Sequence, residues 1–266
     1  MIKYSIILPY YNRKQLLTTT LLSFEKFYKS REDIEIIIID DGSNENHRLN
    51  TLVDDFKTLD IKLIELGKKR NNLEVNPCYP YNVGVRHSSG DILILSSPET
   101  FHTSDMFEIT NNFEKLDDST YILLSVFCST DKKLTNDIVS NDFVINHEDK
   151  QKMYSSMSSD QFNNQYGSWY LHSIFRNTNL NFLSCITRKN FFGLSGFDER
   201  YRFGTGYDDA EFLDRLKLKV KRFIYYNNAN AIHADHEIVH NLPPTINHRL
   251  YNSKMPYPNN DNWGRN

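Results

Sequence analysis

Cysteine is scarce: the 266 residues hold three, Cys78, Cys128 and Cys185, far apart along the chain. So odd and scattered a set argues against a disulfide framework or a four-ligand zinc site, suits a reducing compartment, and reads as small buried hydrophobes. Charge of one sign is lacking too. Lys and Arg number 31 against 34 Asp and Glu, a formal net charge of −3, at a pI near 6.3. Such a balance sets up no field that would hold a polyanion, so a dedicated nucleic-acid binder is disfavoured. The longest apolar runs, such as Ile36 to Ile39 and Ile92 to Leu95, are strand-sized, and the chain enters a strand at once without a basic, apolar leader. No transmembrane segment is expected, and the protein reads as cytoplasmic. Two phosphate-binding signatures are missing as well, since no G-x-G-x-x-G follows the first strand pattern and there is no G-x-x-x-x-G-K-[ST]. Nicotinamide enzymes and P-loop ATPases lose ground on that count.

What is present is a soluble globular composition, 39% apolar, 24% charged and 13% aromatic, too aromatic for a disordered chain. A chain of this mass buries roughly 73% of its extended surface, about 33,000 Å², which suffices for a full core. Short β-branched runs alternate with longer amphipathic ones: Tyr4 to Leu8, Lys14 to Tyr28, Ile34 to Ile39, a polar helix-like stretch, then Ile61 to Leu66. Pro80 to Ser88, Asp91 to Leu95, Ser104 to Leu116 and Tyr121 to Phe127 continue the pattern. The alternation predicts an α/β, Rossmann-like fold with a mostly parallel central sheet, helices on both faces, and a ligand at the carboxyl ends of the strands. After Cys128 the period is lost in a polar stretch to about Gly167, long enough to be a functional loop or lid. Structure resumes with a strand at Phe182 to Thr187, a glycine-punctuated loop at Gly193 to Gly206, a helix from Asp208 to Lys219, and strands near Phe223 to Tyr226 and Ala229 to His233. The Pro/Asn-rich tail from Asn241, with a late Trp263, reads as an extended surface arm.

The first strand runs into Pro9-Tyr10-Tyr11-Asn12-Arg13 and the second into Asp40-Asp41-Gly42-Ser43, which a parallel sheet puts at one edge. There an aspartate can accept the imide N–H of a uracil or bond a ribose, an aromatic can stack on the base, and an arginine can meet a phosphate. The aspartate run also reads as a turn and N-cap after a buried strand. With no glycine loop to hold a diphosphate, a divalent cation is the usual solution. Glu99, just past the fourth strand in Ser96-Ser97-Pro98-Glu99, offers one hard oxygen ligand or is a solvated turn residue. Of only ten glycines, four fall in one loop, Gly193, Gly196, Gly204 and Gly206, so the backbone there needs unusual dihedrals or close approach to something. Asp208, Asp209 and Glu211 then open a helix. Acidic residues suit a helix N-terminus, and a carboxylate at a glycine-lined helix start is also suited to take a proton from a hydroxyl. Downstream, His233 and His236 lie three apart, and a neutral imidazole is a good ligand for Mn²⁺ or another transition ion. His240 and His248 read as surface or packing histidines.

Taken in order, SIILPYYNR, IIIIDDGS, NPCYPYNVGVRHSSGDILIL leading into SSPE, GFDERYRFGTGYDDAEF and AIHADH make the sequence resemble the inverting, nucleotide-sugar-dependent glycosyltransferases of family 2, which have the GT-A fold. The likeness runs from about residue 3 to about residue 236. It implies a GT-A domain at 1–240, with a nucleotide-binding half at 1–130 and an acceptor and catalytic half at 131–240, followed by the arm at 241–266. It further implies that Pro9, Tyr11 and Arg13 flank the nucleotide and that Asp41, with Asp40 beside it, contacts uracil or ribose. Ser97 and Glu99 stand at the first and last positions of the family's D-x-D metal motif, so one carboxylate is missing. His233 matches the family's late metal-binding histidine, with His236 as substitute, and the implied cofactor is Mn²⁺ or Mg²⁺ on Glu99, His233 and His236. Asp209 stands for the general base and Asp208 for the group that orients the acceptor hydroxyl, with Gly206 and Tyr207 beside them at the acceptor.

The implied partners are a UDP-hexose or UDP-N-acetylhexosamine donor and a glycan or other hydroxyl acceptor, joined by one in-line displacement that inverts the anomeric centre. Trp169, His172 and Arg176, at helical spacing on one face, are a candidate acceptor wall or the stripe of an ordinary packed helix. The alternative from another class is a catalytically silent domain of this fold that binds a nucleotide or glycan, and the Asp208-Asp209 pair argues against it. A sugar-nucleotide-forming nucleotidyltransferase would need a glycine- and basic-rich loop after strand one, which Pro9 to Arg13 does not supply. Oligomeric state is not legible.

Overall fold

Seven consecutive buried residues, Tyr4–Tyr10, form strand β1, and a second fully buried run, Ile34–Asp40, forms β2. Strands apolar on both faces belong in the middle of a covered parallel sheet. The computed structural model describes residues 3–67, 74–109, 116–156, 165–237, 245–257 and 261–265. Helix α1 (Lys14–Tyr28) links β1 to β2, and α2 (Asn50–Asp55), β3 (Ile61–Glu65), α3 (Cys78–His87), β4 (Ile92–Leu95), β5 (Thr100–His102) and α4 (Met106–Ile109) follow. Then come β6 (Thr120–Ser129), α5 (Lys132–Ser140), α6 (His147–Ser155), β7 (Gly167–Leu171), β8 (Ser184–Thr187), α7 (Arg188–Gly193), α8 (Asp208–Leu216), β9 (Arg222–His233) and α9 (Thr245–Asn252).

The strand order is β3-β2-β1-β4-β8-β6-β9-β5, with β7 paired to β6. Strands β3, β2, β1 and β4 are parallel, β8 runs against β4 and β6, and β9 is parallel to β6. This is the α/β fold with a mostly parallel sheet that the alternation predicts. The chain leaves β1, β2 and β4 at one edge, so the segments after Tyr10, Asp40 and Leu95 converge there. Register supplies a second convergence. His233 pairs with Cys128 of β6 on one side and Thr100 of β5 on the other, which brings Glu99, the residue before Thr100, beside it. Helix α3 lies close on β1 and β2 because residue 84 is glycine: a Cβ there would be 2.4 Å from Ile39 Cδ1 and 2.7 Å from Ile7 Cγ2.

Three expectations need correction. The polar stretch after Cys128 is not a loop throughout its described part, because Asp131 and Asn146 cap the helices α5 and α6 with their side chains. Leu134, Ile138 and Met153 then anchor both helices in a second apolar cluster with Phe127 and Trp169. Sparse anchors in a polar helix leave too little periodicity to read, and residues 157–164 lie outside the described set. The strands expected near Phe223 and Ala229 are one strand, β9. The described part of the tail is not an extended arm, since it forms α9 and tucks Trp263, 4% exposed, against Phe191 and Phe192 with the Arg86 guanidinium 4.0 Å from its ring.

Both Cys78 and Cys185 are buried, Cys128 is half-buried, and all three are free. Among the described residues no helix is long and apolar enough to cross a membrane. His240 lies outside the described residues.

Candidate active site

Two adjoining cavities open at the carboxyl edge of β1, β2 and β4. The first, ≈ 330 Å³, is lined by Pro9, Tyr11, Arg13, Asp41, the Ser97–Glu99 turn and His236, with Pro77, Pro80 and Tyr81 opposite. The second, ≈ 280 Å³, is lined by Asn76, Tyr170, Asn181, Phe182, Gly206, Asp208, Asp209 and His233. Val75, Pro77, Tyr81, Ser97, Glu99 and Thr205 line both, so the cavities are halves of one groove that meet at Glu99. Hydrogen bonds fix the turn that carries Glu99: Tyr81 Oη donates to the Ser96 carbonyl at 2.6 Å and Thr20 Oγ1 to the Pro98 carbonyl at 2.8 Å. Asn12 joins the two nucleotide-side loops, donating its N–H to Ser43 Oγ and accepting the Asn44 N–H.

Glu99 is 6% exposed. Its Oε1 accepts from Arg13 Nη1 at 2.5 Å and lies 3.3 Å from His233 Nε2 and 3.6 Å from His236 Nε2. Burial alone would raise the Glu99 pKa, but the hydrogen bond and charge of His233, then the charges of Arg13 and His236, bring it down to about 2. Burial likewise opposes a proton on His233, and its contacts with Cys128 and Glu99 win, lifting it to about 9. The Cys128 sulfur sits 3.8 Å from His233 Nδ1, which leaves Nε2 toward Glu99. One ligand atom each from Glu99, His233 and His236 lies within 4.8 Å of the others. Glu99 Oε2 is buried without a hydrogen-bond partner among the described residues. An orphaned carboxylate oxygen beside two imidazoles fits a divalent cation, and imidazole donors suit Mn²⁺ and its neighbours better than Mg²⁺. Ser97 shares a 2.7 Å hydrogen bond with Thr100.

Across the groove, α8 begins at Asp208 after Tyr207, whose φ of 68° is left-handed. Asp208 Oδ1 accepts from Asn76 Nδ2 at 2.7 Å. Burial, then the charge of Asp209, pushes the Asp208 carboxyl up to about 7. Asp209 is also raised by burial, against the Ala210 N–H and the charge of Arg176. The glycine loop before them is locked to α3, because Asn82 bonds both the N–H and the carbonyl of Phe197. Gly196, at φ 67°, leaves room for that amide: a Cβ would lie 2.4 Å from Asn82 Oδ1.

A strand-end aromatic and arginine, a strand-end aspartate, an acidic turn after β4, an aspartate pair at a glycine-lined helix start and a late histidine make up one ordered pattern. A family profile described as Glycosyltransferase like family 2 matches residues 5–237. The chain belongs to that family. Poly(ribitol-phosphate) beta-N-acetylglucosaminyltransferase TarP of Staphylococcus aureus (strain N315) is 30% identical over 112 residues, 42% of this chain and 33% of TarP. Uncharacterized glycosyltransferase YfnE of Bacillus subtilis (strain 168) is 35% identical over 104 residues, 39% of this chain and 23% of YfnE. The match thus spans a third or less of those relatives. S. aureus TarS 1-349 in complex with UDP-GlcNAc superposes with a TM-score of 0.62 at 15% identity, over 90% of this chain and 60% of that one. Mannosyltransferase PcManGT from Pyrobaculum calidifontis, in complex with GDP-Man and Mn2+, gives 0.56 at 16% identity, over 90% of this chain and 58% of its own. These likenesses establish the GT-A fold.

Most residues that the family pattern singles out line the groove: Pro9, Tyr11, Arg13, Asp41, Ser97, Glu99 and His236 on one side, Gly206, Asp208, Asp209 and His233 on the other. Asp40 does not. It is 1% exposed and its Oδ1 caps the turn by accepting the Ser43 N–H at 2.7 Å. Tyr207 turns instead to His248 and Tyr251, with centroids 5.3 Å and 5.5 Å away, and His248 itself is an exposed surface residue. Trp169, His172 and Arg176 are not on a helix: β7 carries Trp169, and a hairpin closed by the backbone of His172 and Arg176 follows. Period two sends Trp169 into the second cluster, 5.3 Å from Phe127, and buries His172, so neither walls the groove. Tyr170 faces the other way, its ring 4.9 Å from those of Phe182 and His233. Arg176 lies behind, 5.4 Å from the Tyr170 ring and 5.6 Å from that of Phe182. Sequence reasoning missed Tyr170, Asn181, Phe182 and Asn76. Strand alternation through Trp169-Tyr170-Leu171 could have found the first.

Proposed function

We propose that this chain is an inverting glycosyltransferase that moves a sugar from a nucleotide-sugar donor, a UDP-hexose or UDP-N-acetylhexosamine, to a hydroxyl of a glycan or similar acceptor. The observation that carries the reading is the placement of Asp208 and Asp209 across one groove from Glu99, His233 and His236. The UDP-GlcNAc in the TarS complex and the GDP-Man and Mn2+ in that of PcManGT support it.

In the first cavity Tyr11 offers a face to the base, Asp41 an acceptor for its imide or the ribose, and Arg13 a fork for diphosphate oxygens. Glu99, His233 and His236 would hold a divalent cation, Mn²⁺ in preference to Mg²⁺, and such a cation stabilises the negative charge of a leaving diphosphate. In the second cavity Tyr170 and Phe182 offer apolar ring faces to a sugar. Asp209 takes the proton of the acceptor hydroxyl as its oxygen bonds to C1 and the C1–phosphate oxygen bond breaks, releasing the nucleoside diphosphate. A carboxyl whose proton affinity is raised by burial is matched to that task near neutral pH. Asp208 orients the same hydroxyl. Attack from the side opposite the diphosphate inverts C1 in one step.

Calorimetric titration of UDP with and without Mn²⁺ tests this reading. Binding that strengthens with Mn²⁺ supports it and selects UDP-sugars for turnover assays, and absence of binding under both conditions overturns the donor and metal assignments.

A further inference from the structure

We infer that Asn76 is the positioning residue of the Asp208–Asp209 pair: it fixes one oxygen of Asp208 so that the other faces an acceptor in the groove. The inference rests on the proposed reading of this site. Asn76 is 4% exposed and lies in the groove wall between Val75 and Pro77, which line both cavities. Its Oδ1 accepts the Cys78 N–H at 2.9 Å, so the amide has one orientation and its Nδ2 points at Asp208 Oδ1, 2.7 Å away. The backbone is held as well, with the N–H groups of Val75 and Asn76 donating to the Arg202 carbonyl at 3.1 Å and 3.4 Å. Pro77 restricts the preceding residue to few conformations. Asn76 is thus clamped between the start of α3 and the turn at Glu199–Phe203.

The choice of a neutral donor has a chemical consequence. A lysine or arginine here would neutralise the pair and pull it into the ordinary carboxylate range, whereas an amide fixes geometry and leaves proton affinity high. Asp209 on the same helix acts on Asp208, and Asp208 in turn raises Cys78 and Tyr81 on α3; none of these groups is a cation. Arg176 acts on Asp209. Besides the backbone N–H groups at the start of α8, Asn76 is the hydrogen-bond donor to Asp208 among the described residues.

Asn76→Asp tests the inference, because it keeps the shape and the oxygen that Cys78 needs while replacing the donor with an acceptor; Asn76→Ala is the second variant. The readout is the carboxyl ¹³C titration of aspartate-labelled full chain, with Asp208→Asn and Asp209→Asn spectra identifying the two resonances. Loss of a hydrogen bond to a charged group should move the Asp208 titration up by about one pH unit or more in both variants. The shift should be larger in Asn76→Asp, which adds a like charge. With a UDP-sugar that turns over, kcat should fall in both variants while UDP affinity stays unchanged. An unmoved titration in Asn76→Asp overturns the inference and leaves Asn76 a turn residue. A protein that binds no UDP overturns the donor assignment of the proposed function, and the carboxyl titration still decides the role of Asn76.

Discussion

Replacing Asp208 by asparagine should make the protein more stable at pH 8 while removing most of its transfer activity. Asp208 is 7% exposed, and burial followed by the charge of Asp209 holds its carboxyl at about 7. In the unfolded chain an aspartate titrates near ~3.9. The folded state therefore keeps a proton that the unfolded chain gives up between about pH 4 and pH 7, and stability falls as pH rises through that window. The contribution is fully present below the lower value and lost above the upper one. About three pH units at 1.36 kcal/mol each set roughly 4 kcal/mol as the ceiling of the cost at pH 8. Water reaching an open groove brings the expected figure to about 2 kcal/mol. Asparagine at 208 keeps an oxygen for the Asn76 amide, so no buried donor is orphaned by the change. Urea unfolding of wild type and Asp208→Asn at pH 4 and pH 8 measures the difference. A gain of about 2 kcal/mol at pH 8 that shrinks below about 0.5 kcal/mol at pH 4 is expected. An equal gain at both pH values would show that charge is not the cause. A loss at pH 8 would show that Asp208 is stabilised as a carboxylate in the fold, and the reasoning from burial would be refuted.

Three further outcomes are expected. Asp209→Asn should lower kcat by about 10²- to 10⁴-fold and leave calorimetric UDP affinity unchanged; equal loss of both counts against a base. Glu99→Gln should remove the part of UDP binding that depends on Mn²⁺ and keep the rest, since it withdraws the carboxylate shared by Arg13, His233 and His236. Trp169→Ala should cost about 3–5 kcal/mol in urea unfolding with UDP affinity kept, whereas Tyr170→Ala should change stability little and raise the acceptor KM. The reverse order would mean that β7 presents the opposite face to the groove.

The sequence was most legible where local periodicity and tertiary placement agree. Lys14 to Tyr28 is legible to the residue, because its apolar positions repeat at helical spacing between two β-branched runs. Trp169, His172 and Arg176 fit helical spacing equally well, and a long-range fact decided against it: Phe127 of β6 pairs with Trp169, which makes the segment a strand. Asp40 and Asp41 fail as a pair for a simpler reason. Adjacent residues at a strand end point to opposite sides, so only one could face the groove, and Asp40 is the one that caps the turn. Asn76 and Phe182 carry no local signal, since what makes them part of the site is the position of Asp208 and Tyr170 on other elements.

The same distinction bears on what sets the metal site. A D-x-D motif offers two carboxylates from one turn, so its geometry is local. Here Ser97 is turned to Thr100, and the ligands come from two segments that meet only because β5 and β9 pair at Thr100 and His233. The Ala234 N–H donates to the Glu99 carbonyl at 2.9 Å and extends that pairing by one step toward His236. Cation binding should therefore report on the β5–β9 register as well as on the ligands. A one-residue slip would turn the 233 side chain to the other face of the sheet, taking its imidazole from Glu99 even with all three ligand residues intact. A substitution that weakens this pairing without touching a ligand should lower Mn²⁺ affinity more than UDP affinity measured without metal, and equal loss of both would place the cause in the groove as a whole.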